Sequence, residues 1–276
     1  MDFENVLILI QKELRDALRN RWFLLYAVAF AALSLALAWF SVSGAGSYGV
    51  AGFGRTTAGL INLILLIVPL MGLTLGALSL AGEREKGTLV YLLAQPISGA
   101  ELLLGKFIGL ALSLTAALLI GFGLTGALMA FSTGGGDFMV YLTLLALSVL
   151  LAVASLSLGF LISAAVRRAA TAVGLALFLW LVLVYFGDLG LMGTAVVLQM
   201  DVQQLLGLAL VNPLQVFKIA AVLDLRDNLE VLGPAGIYAF RTYGAALWPL
   251  LVALLMAWIV APFALATQVF KKRGVL

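Results

Sequence analysis

The stretch FMVYLTLLALSVLLAVASLSLGFLISAAV, from Phe138 to Val166, has no charged residue and is followed at once by Arg167 and Arg168. A helix crosses the hydrocarbon core of a bilayer with about 20 apolar residues, because each residue adds about 1.5 Å. Strands of a membrane barrel would be short and would alternate apolar with polar residues, whereas this run is continuous. The stretch therefore predicts a membrane-spanning helix that ends in a cationic loop.

Similar apolar runs lie on both sides of this stretch, and the composition agrees with them. The chain has 276 residues, of which 64% are hydrophobic and 11% charged, and its mean hydropathy is +1.16. Such values are typical of a polytopic membrane protein. The six predicted spans are Trp22 to Val42, Gly59 to Ala81, Phe107 to Phe131, Phe138 to Val166, Ala169 to Gly187 and Ala245 to Val269. We predict an all-α fold with one transmembrane domain over residues 1–276.

The positions of the cations predict the orientation of the chain. Twelve of the 16 basic residues are on one predicted side, namely Lys12, Arg15, Arg19, Arg21, Arg84, Lys86, Lys106, Arg167, Arg168, Lys271, Lys272 and Arg273. The other side has Arg55, Lys218, Arg226 and Arg241. Cytoplasmic loops carry an excess of Lys and Arg, so both termini are expected in the cytoplasm. The net charge of +3 follows from this topology and indicates no nucleic-acid partner.

Several chemistries are excluded by residue type or by context. The chain has no cysteine and no histidine, so it lacks thiol nucleophiles, imidazole bases and the metal ligands that these two residue types supply. Gly121, Gly123 and Gly126 match a dinucleotide-binding pattern but lie inside an apolar helix. The segment from Gly99 to Lys106 departs from a P-loop, because Phe107 stands where Ser or Thr would bind magnesium. We expect no catalytic residue, metal site or ATPase site in this chain.

Residues 1–21 precede the first span and have a helical apolar pattern. Its apolar residues are Phe3, Leu7, Ile10, Leu14 and Leu18, and its polar ones are Gln11, Lys12, Arg15 and Arg19. Since the two sets occupy opposite faces, the pattern predicts an amphipathic helix lying on the cytoplasmic leaflet. A plain cytoplasmic extension of the first span is the alternative.

Residues 188–244 form a long connection on the predicted outer side. An apolar run up to Leu210 is broken at Asn212-Pro213, and a helical stripe then continues to Leu225. Gly233-Pro234 is expected to form a turn. The pattern predicts short extracytoplasmic helices that dip into the outer leaflet, and a surface connection without further role is the alternative.

Small residues recur four apart in three of the predicted spans. They are Gly72 and Gly76, Gly105 and Gly109, and Ser155, Gly159 and Ser163. Small residues at this spacing let helix backbones approach closely. The pattern predicts tight helix packing, either within a subunit or across a dimer.

Glu83-Arg84-Glu85-Lys86 is the only run of four consecutive charges in the chain. It continues through Gly87 and Thr88 to a short apolar segment, Pro96, and a capping box formed by Ser98 and Glu101. A turn, a short helix, a break and a new helix are therefore expected in that order. A compact, sign-balanced cluster in a membrane loop indicates a protein contact, and a solvated loop is the alternative. Arg167 and Arg168 could make a second contact or act only as a positive-inside anchor.

Together these features resemble the permease of an ABC-2 type transporter. The residues that carry the resemblance are Gly82-Glu83-Arg84-Glu85-Lys86-Gly87-Thr88-Leu89, Gln95-Pro96-Ile97-Ser98, Lys106 and the outer Asn212-Pro213. The resemblance implies a multi-pass protein of the bacterial inner membrane, in contact with lipid. It assigns residues 82–106 to a cytoplasmic coupling loop, in which Glu83 to Thr88 link ATP hydrolysis to movement of the spans.

Within that family the chain most resembles the permease of the transporter that supports nitrous oxide reductase maturation. This implies a homodimer, two cytoplasmic ATPase subunits that bind ATP and magnesium, a periplasmic partner protein, and a role in assembling copper-sulfur centres. No cofactor is implied for this chain. Three alternatives stay open: an ABC-2 exporter of another cargo, a motor-free channel or carrier, and a membrane scaffold for metalloenzyme maturation.

Overall fold

The computed structural model describes residues 3–43, 53–133, 138–190, 193, 200–224 and 233–273, and within these ranges it contains helices but no strand. The α-helices are α1 (Phe3–Arg19), α2 (Arg21–Ser43), α3 (Phe53–Glu85), α4 (Thr88–Leu93), α5 (Gly99–Thr133), α6 (Phe138–Ala165), α7 (Ala169–Tyr185), α8 (Val202–Leu210), α9 (Pro213–Asp224), α10 (Gly233–Tyr243) and α11 (Leu247–Arg273). A π-helical turn, Phe186–Gly190, follows α7, and a 3-10 turn, Gly244–Ala246, joins α10 to α11. The all-α prediction is confirmed.

Five helical units of the described chain are long and apolar enough to cross a membrane. They are α2, α3, α5, α6 and the unit formed by α10 and α11. Helix α7, predicted as the fifth span, has 17 residues and so lies at the lower limit of about 17 for a spanning helix. A sixth span by length arises only if α8 and α9, which meet at a bend of 109°, count as one broken helix. The spans are thus five to six.

Helix α3 is the centre of the bundle and packs most extensively against α6. The small residues explain how the two backbones approach: a Cβ added at Gly72 would lie 2.6 Å from the carbonyl oxygen of Ala152. One added at Gly76 would overlap the Leu156 carbonyl, and one at Gly159 that of Leu73. The predicted close packing is therefore confirmed, and at these glycines it occurs within one chain.

Helix α1 lies along the first half of α5, and its buried face differs from the predicted apolar stripe. Val6, Leu9, Glu13 and Ala17 are its buried residues, whereas the stripe residue Phe3 is 76% exposed. The contact forms because α5 has glycines there: a Cβ at residue 105 would lie 2.5 Å from that of Leu9, and one at residue 109 would lie 2.6 Å from that of Glu13. The stripe that contains Phe3 is not the face of α1 that is buried on α5. Its contact with a membrane surface stays a prediction.

The connection over residues 188–244 contains α8, α9 and α10. Asn212 caps α9, because its side-chain oxygen accepts the Leu214 amide at 3.0 Å, and Pro213 occupies the first turn, where no amide donor is needed. Helix α9 is mostly buried, against α11, α6, α3 and α7. The predicted turn at Gly233-Pro234 is wrong, since α10 begins there. Residues 191–192, 194–199 and 225–232, which include Arg226, lie outside the described residues.

Candidate functional site

The charged run forms the end of α3 and the turn into α4, in the predicted order of elements. Gly87 has a φ of 72°, a left-handed conformation that residues with a Cβ rarely adopt, and its amide donates to the Arg84 carbonyl at 3.2 Å. The Thr88 hydroxyl donates to the Glu83 carbonyl at 3.2 Å. Both contacts satisfy carbonyls that the helix end would otherwise leave unpaired. Gly87 and Thr88 therefore set the direction in which α4 leaves α3.

Glu83 points into the protein, where it belongs to a cluster of two carboxylates and two ammonium groups. Lys106 of α5 lies 2.8 Å from the Glu83 carboxylate and 2.5 Å from that of Glu13 on α1. The Lys106 side chain is only 2% exposed. Lys12 completes the cluster at 3.2 Å from Glu83 and 3.5 Å from Glu13. The cluster joins α1, the end of α3 and the start of α5.

The pKa of Lys12 shows how the cluster balances its charges. Burial of the Lys12 ammonium would lower its pKa, but the carboxylates of Glu83, Glu13 and Asp16 outweigh that effect and raise the pKa above its ordinary value of 10.5. A lysine whose pKa is raised by folding contributes stability below its unfolded-state pKa, and that contribution is lost as the pH rises through the folded-state pKa. Lys12 therefore stays charged at neutral pH, and its contribution fades only in strongly alkaline solution.

Arg84 and Glu85 point the other way, to the connection between α6 and α7. The Arg84 guanidinium donates to the Val166 carbonyl at 2.7 Å. The Ala169 amide, the first of α7, donates to the Glu85 carboxylate at 2.6 Å. A carboxylate at this position compensates the partial positive charge of a helix N-terminus. The structure thus brings the charged run next to the second predicted contact, because the exposed Arg167 and Arg168 lie between these two bonds.

The exposed surface of this region includes Lys86 and one face of α4. Leu89 is fully buried and anchors α4, whereas Tyr91 is 77% exposed and Val90 56%. Lys86 lies between two open grooves, of about 790 and 380 Å³. The larger is lined mainly by residues of α1, α2, α3 and α7, and the smaller by residues of α1, the end of α3, the turn and α4. An exposed aromatic side chain beside grooves of mixed charge is suited to contact with another protein.

The start of α5 is fixed by the predicted capping box. The Glu101 carboxylate accepts the Ser98 amide at 2.8 Å, and the Ser98 hydroxyl accepts the Glu101 amide at 3.2 Å. Helix α5 consequently begins at Gly99, earlier than the predicted span start at Phe107, and Lys106 lies within it. The turn and α4 are therefore held between two capped helix ends.

Glu13 was missed as a site residue, and Lys106 was named as a cytoplasmic cation and as part of the family resemblance but not as the centre of a charge cluster. The sequence did contain a sign of the first: Val6, Leu9, Glu13 and Ala17 follow helical spacing, so one carboxylate lies on an otherwise apolar face. Such a carboxylate needs a buried cation, since an unpaired buried charge is costly. Among the described residues, no group of three or more His, Cys, Asp or Glu side chains is arranged to hold a metal ion.

Comparison with known proteins identifies the family. The model of the ABC-2 family transporter proteins matches residues 7–275. The chain belongs to the ABC-2 transporter family. As an ABC-2 permease it is a multi-pass membrane subunit of an ABC transporter, a role that implies a separate ATPase subunit as partner.

Two relatives of this ABC-2 permease match over nearly their whole length. The probable ABC transporter permease protein NosY of Stutzerimonas stutzeri is 32% identical over 270 residues, which are 95% of this chain and 96% of the relative. The protein of the same name from Pseudomonas aeruginosa is 33% identical over 275 residues, 96% of this chain and 97% of the relative.

Proposed function

We propose that Glu83 to Thr88 and the following helix α4 couple ATP hydrolysis in the partner subunit to movement of the spans. The observation that carries the proposal is the exposure of Tyr91 and Val90 on a short helix whose other face is buried through Leu89. Large apolar side chains that project from a loop between long helices are expected to be covered by a partner. In an ABC-2 permease, that partner is the ATPase.

The contacts around α4 suit transmission of force. Glu83 ties the end of α3 to α1 and α5, while Arg84 and Glu85 tie it to the start of α7. A displacement of α4 would therefore be passed through α3 to α1, α5 and α7 at once. Helix α3 runs without interruption from Phe53 to Glu85, so the same element reaches from the loop to the centre of the bundle.

The chain is further proposed to act in nitrous oxide reductase maturation, supporting assembly of its copper-sulfur centres. The sequence resemblance and the name shared by the two relatives support this. A homodimer, two ATPase subunits and a periplasmic partner belong to the same proposal. Purification of the complex from its host, with identification of bound proteins, tests it. Flux in vesicles without ATP would instead indicate a channel or carrier, and stable partner binding without flux a scaffold.

Replacement of Tyr91 by Ala is expected to lower the amount of ATPase subunit that co-purifies with the permease by about tenfold or more. Exposed tyrosines at protein interfaces are frequent hot spots, worth about 2 kcal/mol when truncated. Tyr185 of α7 is also exposed and serves as the matched control, because it lies at the opposite end of the spans. Equal retention in Tyr91→Ala, Tyr185→Ala and wild type would show that α4 is not the docking element.

Glu83 is a poor choice for the same test. Its carboxylate contacts Lys106 and Lys12, so a charge reversal there would disturb the permease itself. Lys86 is exposed and lies between the two grooves, and Lys86→Glu is therefore the suitable charge reversal. We expect it to weaken docking while permease yield stays unchanged.

The proposed orientation, with both termini cytoplasmic and residues 188–244 outside, has its own test. Gln95 and Gln203 are both exposed glutamines on opposite proposed sides, and the chain contains no cysteine. In intact spheroplasts, an impermeant thiol reagent is expected to label Gln203→Cys, and to label Gln95→Cys only after permeabilisation. The reverse pattern would invert the topology.

A further inference from the structure

The hydroxyl of Ser163, in the last turns of α6, makes three hydrogen bonds to the backbone of α3. It donates to the Ala77 carbonyl at 2.7 Å and accepts the amides of Leu80 at 2.9 Å and Ala81 at 2.8 Å. In a regular α-helix the amide of residue 81 bonds directly to the carbonyl of residue 77. The Ser163 oxygen therefore bridges a donor and an acceptor that ordinarily bond to each other. Its side chain is completely buried.

Other buried serines of α6 behave differently. Ser148 donates to the Leu144 carbonyl at 2.6 Å and Ser155 to the Leu151 carbonyl at 2.8 Å, which are contacts within their own helix. Ser157 does cross to another helix, but it reaches the Ile259 carbonyl of α11. Among these serines, Ser163 alone bonds to the segment that leads into the charged run.

The Ser163 contact lies next to the charged run of α3 and to the loop that follows α6. Only Gly82 separates Ala81 from Glu83. On the other helix, Ser163 lies three positions before Val166, whose carbonyl accepts the Arg84 guanidinium. Helices α3 and α6 are thus joined twice, once inside through Ser163 and once at their cytoplasmic ends through Arg84. The close approach at Gly76 and Gly159 brings the hydroxyl within reach of the α3 backbone.

We propose that Ser163 is a positioning residue that locks the cytoplasmic end of α3 to α6, so that the charged run and the loop at residues 166–168 move as one unit. The part of this inference that concerns coupling rests on the proposed function. The lock itself does not, because it is a property of the permease alone. Because the Ser163 hydroxyl contacts two amides and one carbonyl of the same turn, the backbone of α3 is held there partly by its neighbour.

Amide hydrogen exchange of the purified permease tests the lock. In Ser163→Ala, the amides of residues 80–86 are expected to exchange about tenfold faster, since loss of a buried hydrogen bond is worth about one such factor. Ser148→Ala, which removes an equally buried hydroxyl from the same helix, should leave them unchanged. Ser157→Ala, which removes a hydroxyl bonded to α11, should also leave exchange at residues 80–86 unchanged. This control distinguishes the Ser163 contact from other interhelical hydrogen bonds. Wild-type exchange at residues 80–86 in Ser163→Ala would overturn the proposal.

A second variant keeps the test decisive if Ser163→Ala does not fold. Ser163→Cys retains a weaker donor and acceptor, so its exchange rates at residues 80–86 should exceed those of wild type by a smaller factor. Rates equal to those of wild type would contradict the lock.

The role in coupling is tested in the complex with the ATPase. On addition of ATP, exchange in the wild type is expected to change at residues 80–86 and at residues 159–166 together, whereas in Ser163→Ala the change should be confined to the first segment. A change in both segments of Ser163→Ala would overturn the positioning role. If ATP caused no change in exchange in the wild type, the coupling role of Glu83 to Thr88 would be contradicted instead. The exchange rates without ATP would still test whether Ser163 holds α3 to α6.

Discussion

Replacement of Lys106 by Met is expected to destabilise the permease by about 3 kcal/mol. The change leaves the carboxylates of Glu13 and Glu83 in a buried site without their central cation, and loss of one partner from a buried ion pair costs about 3–5 kcal/mol. The lower end of that range applies because Lys12 remains 3.2 Å from Glu83. The fraction of permease that stays monodisperse after heating in detergent, compared over a temperature series, measures the effect.

Two controls distinguish a charge effect from loss of packing. The triple variant Glu13→Gln, Glu83→Gln and Lys106→Met removes the three buried charges and leaves only the half-exposed Lys12, so it should recover most of the lost stability. Lys12→Met changes a half-exposed partner of the same cluster and should cost less than about 1 kcal/mol. If Lys106→Met and the triple variant unfold at the same temperature, the cluster is held by packing rather than by charge balance.

The cluster also shows where reasoning from the sequence stops. Four consecutive charges in a chain this apolar stand out by composition, so the loop and the order of its elements could be predicted. Which charge faces which helix could not, because Glu83 and Glu85 are two residues apart and project in different directions. Glu83 meets Lys106, 23 positions along the chain, and Glu85 meets the amide of Ala169. These partners depend on how three helices are arranged, and helical periodicity carries no information on that.

Helix α1 illustrates a second limit. Its sequence has two apolar faces, one containing Phe3, Leu7 and Leu18 and the other Val6, Leu9 and Ala17. The first has the larger side chains and was predicted to face the membrane surface, whereas packing of the second face on another helix was not predicted. The second packs on α5, because Gly105 and Gly109 have no side chain and so let Leu9 and Glu13 approach the α5 backbone closely. Helix existence follows from periodicity, whereas the choice of face follows from the shape of the neighbour.

The structure of the connection over residues 188–244 could be predicted only in part. The break at Asn212-Pro213 follows from residue type, since Pro lacks an amide donor and Asn caps the helix it begins. The burial of α9 inside the protein was not predicted. Its apolar residues Val216, Phe217 and Ala220 are all completely buried. An apolar short helix can lie in lipid or in protein with the same composition, so its sequence alone does not distinguish the two.

Substitution of Ala at two glycines of α3 is expected to have opposite effects on stability. A Cβ at Gly76 would overlap the Leu156 carbonyl oxygen and lie 2.8 Å from the Phe160 amide nitrogen, so α3 and α6 would have to separate. Overpacking costs about 1–3 kcal/mol, and the upper value is expected because backbone atoms are met. A Cβ at Gly82 meets nothing within 4 Å, and Ala is favoured over Gly in a helix by about 0.8–1 kcal/mol.

The same heating series measures both variants, and the pair is matched because both glycines lie in α3 and receive the same methyl group. Gly76→Ala should lower the unfolding temperature and Gly82→Ala should raise it slightly. If Gly76→Ala lowers the unfolding temperature by no more than Gly82→Ala changes it, then α3 and α6 are held less closely than the glycine contacts indicate. Because Ser163 reaches the α3 backbone only through that close approach, Gly76→Ala should also speed amide exchange at residues 80–86, as Ser163→Ala does. Gly76→Ala is therefore expected to lower both the stability of the permease and the protection of the charged run from amide exchange.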